Sequence, residues 1–135
     1  MKTIITSCIV ASALALSGCE TTGVSTLDSS SSGSGDYAWI AADSDVRRHI
    51  FVESANQAKL DGGITKVQVV LKNSSQKEKS FNYLFEWKDS QGFSVRNPNS
   101  SWKTVRLKPK ETISLTAISP NPSGEDFTLK LERND

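Results

Sequence analysis

Every second residue from Phe81 to Trp87 is aromatic: Phe81, Tyr83, Phe85 and Trp87 alternate with Asn82, Leu84 and Glu86. A period of two puts all four rings on one face of an extended strand. Asn82, Glu86 and Lys88 take the other face. A strand with one face this apolar is stable only when a second layer covers it, so the chain must fold in layers. The run from Ile64 to Asn73 repeats the pattern, with Val67, Val69 and Leu71 against Lys66, Gln68 and Lys72. Val70 breaks the alternation and is expected at the surface or under a loop. The two runs, joined by a short polar stretch, read as an antiparallel pair.

The remaining strands are shorter. Asp36–Ala42 contains Tyr37, Trp39 and Ile40 and reads as a first short strand. His49–Glu53 places Ile50 and Val52 together, and Ser54–Leu60 reads as a polar helical turn or loop. Asp61-Gly62-Gly63 is a turn. Ser90-Gln91-Gly92 closes the aromatic run, and Phe93–Arg96 is expected to form a short strand before the loop Asn97–Ser101. Trp102–Leu107 puts Val105 and Leu107 on one face, and Lys108-Pro109-Lys110 turns the chain. Thr112–Ala117 points Ile113, Leu115 and Ala117 inward, Ser119–Gly124 connects, and Asp126–Glu132 carries Phe127, Leu129 and Leu131. Short alternating strands between turn signals predict an all-β fold. The expected form is an immunoglobulin-like antiparallel β-sandwich of six to eight strands, with an open barrel as the alternative.

The N-terminal part follows other rules. Lys2 precedes an uncharged run of 13 residues, Ile4–Leu16. A membrane-spanning helix needs about 20 apolar residues, so this run reads as the core of a secretory signal. It ends in Leu16-Ser17-Gly18-Cys19, which resembles the lipobox of bacterial lipoproteins. The resemblance implies cleavage after residue 18, a diacylglyceryl group on the Cys19 sulfur and acylation of the new amine. One acyl chain holds a protein to a membrane only marginally, whereas several hold it almost permanently. Residue 20 is Glu rather than the Asp that retains such proteins at the inner membrane, which implies the outer membrane.

Residues 20–35 are rich in Ser, Thr and Gly and are expected to form a disordered tether. A tether of this kind spans roughly 20–25 Å. The layout is therefore signal peptide 1–18, lipidated Cys19 and linker 19–35, and β-sandwich domain 36–135. Without residues 1–18 the chain carries 15 basic and 15 acidic side chains. No basic stripe exists, so nucleic acid is not an expected partner. Cys8 leaves with the signal and Cys19 takes lipid, so the domain has no disulfide and depends on its core.

Gly63–Asn73, the pattern Tyr83-x-Phe-x-Trp87-x-Asp89-x-x-Gly92, Trp102 and the Pro120/Pro122 turn before Phe127 together resemble the YcfL-type periplasmic lipoproteins. The resemblance covers most of residues 46–132 plus the lipobox. It implies a small β-sandwich tethered to the outer membrane, facing the periplasm, and assigns no activity.

No residue constellation indicates catalysis. His49 is the single histidine, and a metal site needs several converging ligands. Ser74–Lys77 and Ser100–Lys103 match Ser-x-x-Lys, but the companion motifs of penicillin-recognising enzymes are missing. Asp43/Asp45 and Glu125/Asp126 read as solvated turns, and the aromatic row reads as core rather than a sugar platform. Neither cofactor nor metal is expected, and the chain does not read as an enzyme. Trp102 and Arg106 fall opposite Val105 and Leu107, and Phe51 falls opposite Ile50 and Val52. An exposed Trp beside Arg suits a contact point for a protein partner; a Trp folded over the sandwich edge is the plainer alternative. The expectation is a non-catalytic interaction module in the cell envelope. The partner would be a periplasmic or envelope protein, held through these residues or by strand addition at an open sheet edge. Two rivals remain: a structural lipoprotein of a secretion apparatus, resembling the TssJ type, and a cell-wall-acting enzyme.

Overall fold

A computed structural model describes residues 24–26 and 39–134. Expectations for the signal peptide, Cys19 and Tyr37 concern residues outside that set. The described residues form eight strands: β1 Val24–Thr26, β2 Ile40–Ala42, β3 Ile50–Lys59, β4 Thr65–Asn73, β5 Lys79–Lys88, β6 Lys103–Leu107, β7 Thr112–Ile118 and β8 Asp126–Arg133. One helix of four residues, α1 Ser44–Arg47, lies between β2 and β3. The strands make two four-stranded sheets, ordered β1-β3-β4-β7 and β2-β8-β5-β6. All pairs are antiparallel except β2 with β8. The chain crosses between sheets after β1, β2, β4, β6 and β7. Crossings of this kind pair β4 with β7 and β5 with β8, the Greek-key wiring of immunoglobulin-like sandwiches. The all-β sandwich expected from the alternation is what forms.

The core lies between the sheets. Val67, Val69 and Leu71 of β4 face Phe81, Phe85 and Trp87 of β5 and Phe127, Leu129 and Leu131 of β8, all buried. The Phe127 ring sits 5.3 Å from Trp39, 5.9 Å from Phe85 and 6.0 Å from Trp87. Tilted aromatic pairs at this spacing contribute about 0.5–1.5 kcal/mol each beyond area burial.

Four local expectations are corrected. β4 and β5 are not a pair; they belong to opposite sheets. Their apolar faces meet across the core, which covers both at once, whereas a hairpin would leave both needing a cover. Asn73 enforces the crossing. Its Nδ2 donates to the carbonyls of Lys77 (2.8 Å), Leu107 (3.2 Å) and Lys108 (3.0 Å). Its Oδ1 accepts from the Ser75 amide at 3.0 Å and the Ser75 hydroxyl at 2.7 Å.

Ser54–Leu60 is neither helical nor a loop, because β3 continues to Lys59. A bulge between Val52 and Ser54 shifts the phase by one residue. Ile50 and Val52 face inward before it and Ala55 after it, so a strict period of two breaks there. Phe93–Arg96 forms no strand; only an isolated bridge joins Lys88 and Ser94, and Phe93 is exposed. Within the stretch read as linker, Val24–Thr26 pairs with Asn56–Ala58 of β3. Val and Thr favour extended backbone, and β3 would otherwise be an open edge. Of the first expected strand, Asp36–Ala42, the paired part among the described residues is Ile40–Ala42.

Candidate functional site

β6 and β7 are edge strands of opposite sheets. At the end of the sandwich where β6 begins and β7 stops, a cleft of about 550 Å³ opens between them. Its walls are Tyr83, Phe85 and Trp87 of β5, the loop segment 97–101, Lys103, and residues 116–120. The volume falls in the range of ligand pockets. Lys103 is the sole charged side chain among the lining residues described.

Unequal strand lengths create the opening. β6 accompanies β5 only from Lys79↔Leu107 to Tyr83↔Lys103. On its other side β5 is paired with β8 as far as Lys88↔Asp126. Leu84–Lys88 therefore lacks a partner strand on the β6 side, apart from the bridge to Ser94. The intervening loop touches β5 through Val95 and Ser100 and is shaped by its own turns. Asp89 Oδ1 accepts from the amides of Gln91 and Phe93, both at 2.9 Å, and Asn97 Oδ1 accepts from the Asn99 amide at 3.1 Å. Asx turns of this kind satisfy backbone donors within the loop.

Alternation of the backbone fixes which groups face the gap. Glu125 N–H donates to Lys88 O, on the β8 side, whereas Val95 N–H donates to Trp87 O on the other. In an antiparallel strand the N–H and C=O of one residue point the same way. Phe85 and Trp87 thus aim both groups away from β8. Phe85 O receives only the Ser100 hydroxyl, at 3.5 Å, and Trp87 O receives Val95 N–H at 2.8 Å. By the same alternation the N–H groups of Phe85 and Trp87 point away from β8, toward the loop that leads into β6. Both residues are buried.

Two side chains add to this. Lys103 is in phase with the inward Val105 and Leu107, but it lies past the end of the core and is exposed at the cleft mouth. Tyr83 is its cross-strand neighbour, and its ring meets Phe85 edge-on at 6.2 Å. Among the described residues the Lys103 ammonium has no carboxylate partner and the Tyr83 hydroxyl no hydrogen bond. The opposite wall is rigid. Ser119 is buried, its Oγ accepting from Thr65 N–H at 3.0 Å and donating to Asn121 O at 3.0 Å. Gly124 packs against it so closely that a Cβ there would lie 2.8 Å from Ser119 Cβ.

The residues expected to meet a partner are not brought together. Trp102 and Arg106 lie on the outer face of the β2-β8-β5-β6 sheet. Trp102 is 43% exposed, and continuing the register places it opposite Leu84. Arg106 pairs with Glu78 at 3.6 Å, with both side chains well exposed. Phe51 is exposed on β3, opposite Lys72, on the far side of the molecule. His49 is half-buried, and its carbonyl accepts from Ser74 N–H at 2.8 Å. Of the Ser-x-x-Lys matches, Ser100 and Lys103 both line the cleft, but the Ser100 hydroxyl turns to a carbonyl. Asp43 Oδ2 accepts from Arg133 N–H at 2.9 Å, and Glu125 and Asp126 are exposed. Cys19 lies outside the described residues. Sequence reasoning missed Lys103 and counted Tyr83 as core. The signal for Lys103 was present: Lys103-x-Val105-x-Leu107 puts a cation on an otherwise apolar face.

Among the described residues, no group of three or more His, Cys, Asp or Glu could hold a metal ion, and no helix is long and apolar enough to cross a membrane. A family model described as "Protein of unknown function (DUF1425)" matches residues 38–133. A crystal structure of a DUF1425 family member from Shewanella sp. pv-4 is 24% identical, with a TM-score of 0.57, over 64% of this chain and 79% of that one. The crystal structure of Campylobacter jejuni cj0090 is 18% identical, with a TM-score of 0.61, over 71% of this chain and 98% of that one. At these identities the likeness shows the fold alone. No curated protein matches.

Proposed function

The chain belongs to the DUF1425 family, and from that footing we propose that it is an outer-membrane lipoprotein whose β-sandwich is a non-catalytic protein-interaction module. Cys19 carries the lipid, and the domain faces the periplasm. The lipobox Leu16–Cys19 behind an uncharged 13-residue run supports the anchor, and the YcfL-type resemblance agrees with it. The observation that carries the interaction reading is the cleft between the edge strands β6 and β7, open in a sandwich whose other end is closed by Asn73. A partner segment can enter there without unfolding anything.

Photo-crosslinking in intact cells tests the module. Benzoylphenylalanine at Ser101 or Ile118, on the cleft wall, is expected to give a discrete protein adduct, and at Lys108, at the closed end, none. No adduct from the cleft positions, or equal adducts from all three, discards the reading. The anchor is tested separately. Cys19→Ser should release the protein from the outer-membrane fraction into the soluble periplasm, and retention in that fraction rejects it.

A further inference from the structure

A strand at the rim of a sheet exposes backbone groups that invite a further strand, and most such strands carry a guard: shortness, charge, proline or a bulge. Four strands lie at rims in this fold. β1 and β2 have three residues each. β6 includes Lys103 and Arg106. The stretch of β3 that β1 leaves uncovered holds Glu53 and the bulge between Val52 and Ser54. β7 has none of these guards. It runs seven residues, Thr112-Ile-Ser-Leu-Thr-Ala-Ile118, without charge or proline. It pairs with β4 in unbroken register from Lys72↔Thr112 to Lys66↔Ile118. Among the described residues no strand lies on its other side. Ile118, on the outer face, is 52% exposed.

The backbone phase of this rim is fixed. Ser119 N–H donates to Thr65 O at 2.8 Å, and Glu111 O accepts from Asn73 N–H at 2.9 Å, so the odd-numbered residues bond to β4. The N–H and C=O groups of Thr112, Ser114, Thr116 and Ile118 therefore point away from β4. An antiparallel copy of the same strand meets them in phase when Leu115 lies on a two-fold axis. Ser114 then stands opposite Thr116 of the second copy and Thr112 opposite its Ile118, and each such pair exchanges two backbone hydrogen bonds. The side chains agree. Ser114 Oγ accepts from Gln68 Nε2 at 2.7 Å and can still donate to the facing Thr116, and the Thr112 methyl covers Ile118. The lysines that flank the pairing on β4, Lys66 of one copy and Lys72 of the other, are three strand spacings apart, roughly 14 Å. That exceeds the screening length of about 8 Å.

We propose that β7 is a self-association edge, through which two copies of this chain join in an antiparallel two-fold pair that makes one sheet across both. Phase, neutral charge and facing residues all close on a second copy, as an isologous contact requires. A single pair of seven-residue strands is a small contact, of the weak class below about 1,200 Å². Copies anchored in one membrane, on the reading above, meet at a raised effective concentration.

The test mixes two full-length forms, Ser114→Cys and Thr116→Cys, in detergent under mild oxidation; residues 20–135 contain no cysteine. Facing Cα atoms about 5.5 Å apart are within disulfide reach. Ser114 and its own counterpart, on a diagonal of roughly 7–8 Å, are not. The mixed disulfide is expected to exceed the Ser114→Cys homodimer several-fold, and Thr104→Cys, on the rim strand β6, is expected to give none. Ser114→Lys guards the rim without touching the core and should leave a folded monomer by circular dichroism and sedimentation, whereas Ser114→Thr should still associate. A mixed disulfide no stronger than the Thr104→Cys control or the Ser114→Cys homodimer overturns the proposal, as does undiminished association of Ser114→Lys. The Cys19→Ser chain should form the same disulfide at higher protein concentration, so a failed anchor leaves this test intact. In cells, an Ile118 adduct of twice the chain's own mass supports the pairing, and the Ser101 adduct reports the cleft alone.

Discussion

At the end of the sandwich where β4 passes into β5, Asn73 is fully buried and spends both faces of its amide on five hydrogen bonds. Its own N–H donates to Glu111 O at 2.9 Å. At the opposite end, the Phe85 and Trp87 side chains are in the core, but β6 ends before it reaches them and only the loop residues Ser100 and Val95 bond to their carbonyls. One end ties β4, β6 and the β6–β7 turn together, and the other lets β6 and β7 part. The contrast teaches that the open end is not loose packing. Trp87 and Phe127 fill the core beneath it, and Ser119 and Gly124 lock its far wall. What opens there is a cleft on a rigid frame.

The closed end should therefore dominate stability. Asn73→Leu keeps the branched shape but takes the side-chain donor from the buried Leu107 O and the acceptor from Ser75 N–H, while Lys77 O keeps the Ser75 hydroxyl and Lys108 O the Glu111 amide. Leaving buried polar groups unpaired costs about 1–3 kcal/mol apiece, and partial rehydration at the turns reduces the sum. A loss of about 3 kcal/mol is expected in urea unfolding followed by tryptophan fluorescence. A loss below about 1 kcal/mol would mean that the turns hold themselves and the comparison is drawn in the wrong place.

Gly124→Ala probes the wall of the open end. The new methyl would meet Ser119 Cβ at 2.8 Å, and overpacking of this kind costs about 1–3 kcal/mol. The displaced Ser119 would also release the Thr65 amide. Unfolding should shift by about 2 kcal/mol, and crosslinking from Ile118 should weaken. Full crosslinking in a destabilised variant would show that the wall is not part of the contact.

Much of the frame was legible in the sequence. Alternation marked the inward residues of β4, β5, β7 and β8, because one apolar face per strand is a period that survives tertiary context. Pairing was not legible. The polar stretch after Asn73 reads as a hairpin, and only the buried amide, invisible to pattern, turns it into a crossing between sheets. The bulge in β3 hid half of that strand by shifting its phase. Sites fared worse. Trp102, Arg106 and Phe51 were singled out because they fall opposite the apolar face, and that rule finds exposed residues without saying which share a surface. The cleft depends on where β6 starts relative to β5, a difference in strand length that the sequence does not state. Lys103 was readable as an inward lysine, and its meaning needed the cleft.

Trp102 separates the cleft from the outer face next to it. Its ring is 43% exposed and stands opposite the half-buried Leu84 by register. Trp102→Ala should cost about 1 kcal/mol, in the middle of the range for single substitutions. If partner capture from Ser101 is unchanged, contact is confined to the cleft. If capture is lost with the fold intact by circular dichroism, the contact extends over the outer face and the open end is larger than its walls.

The smallest effect on stability should come from Lys103→Met, and it is the most discriminating. An inward lysine on an edge strand has a second explanation, because such charges prevent edge-to-edge association of sheets. β6 is an edge strand, so both roles predict a lysine here. They differ in what its loss does. The ammonium makes no described ion pair, and methionine suits a face shared with Val105 and Leu107, so unfolding should move by no more than about 0.5 kcal/mol. A lysine that only guards the edge would, when replaced, raise self-association in light scattering and leave the Ser101 crosslink untouched. A lysine that contacts a partner in the cleft would do the reverse. A variant whose self-association does not rise and which loses the Ser101 crosslink would place the asymmetry between the two ends in recognition rather than in protection of an edge.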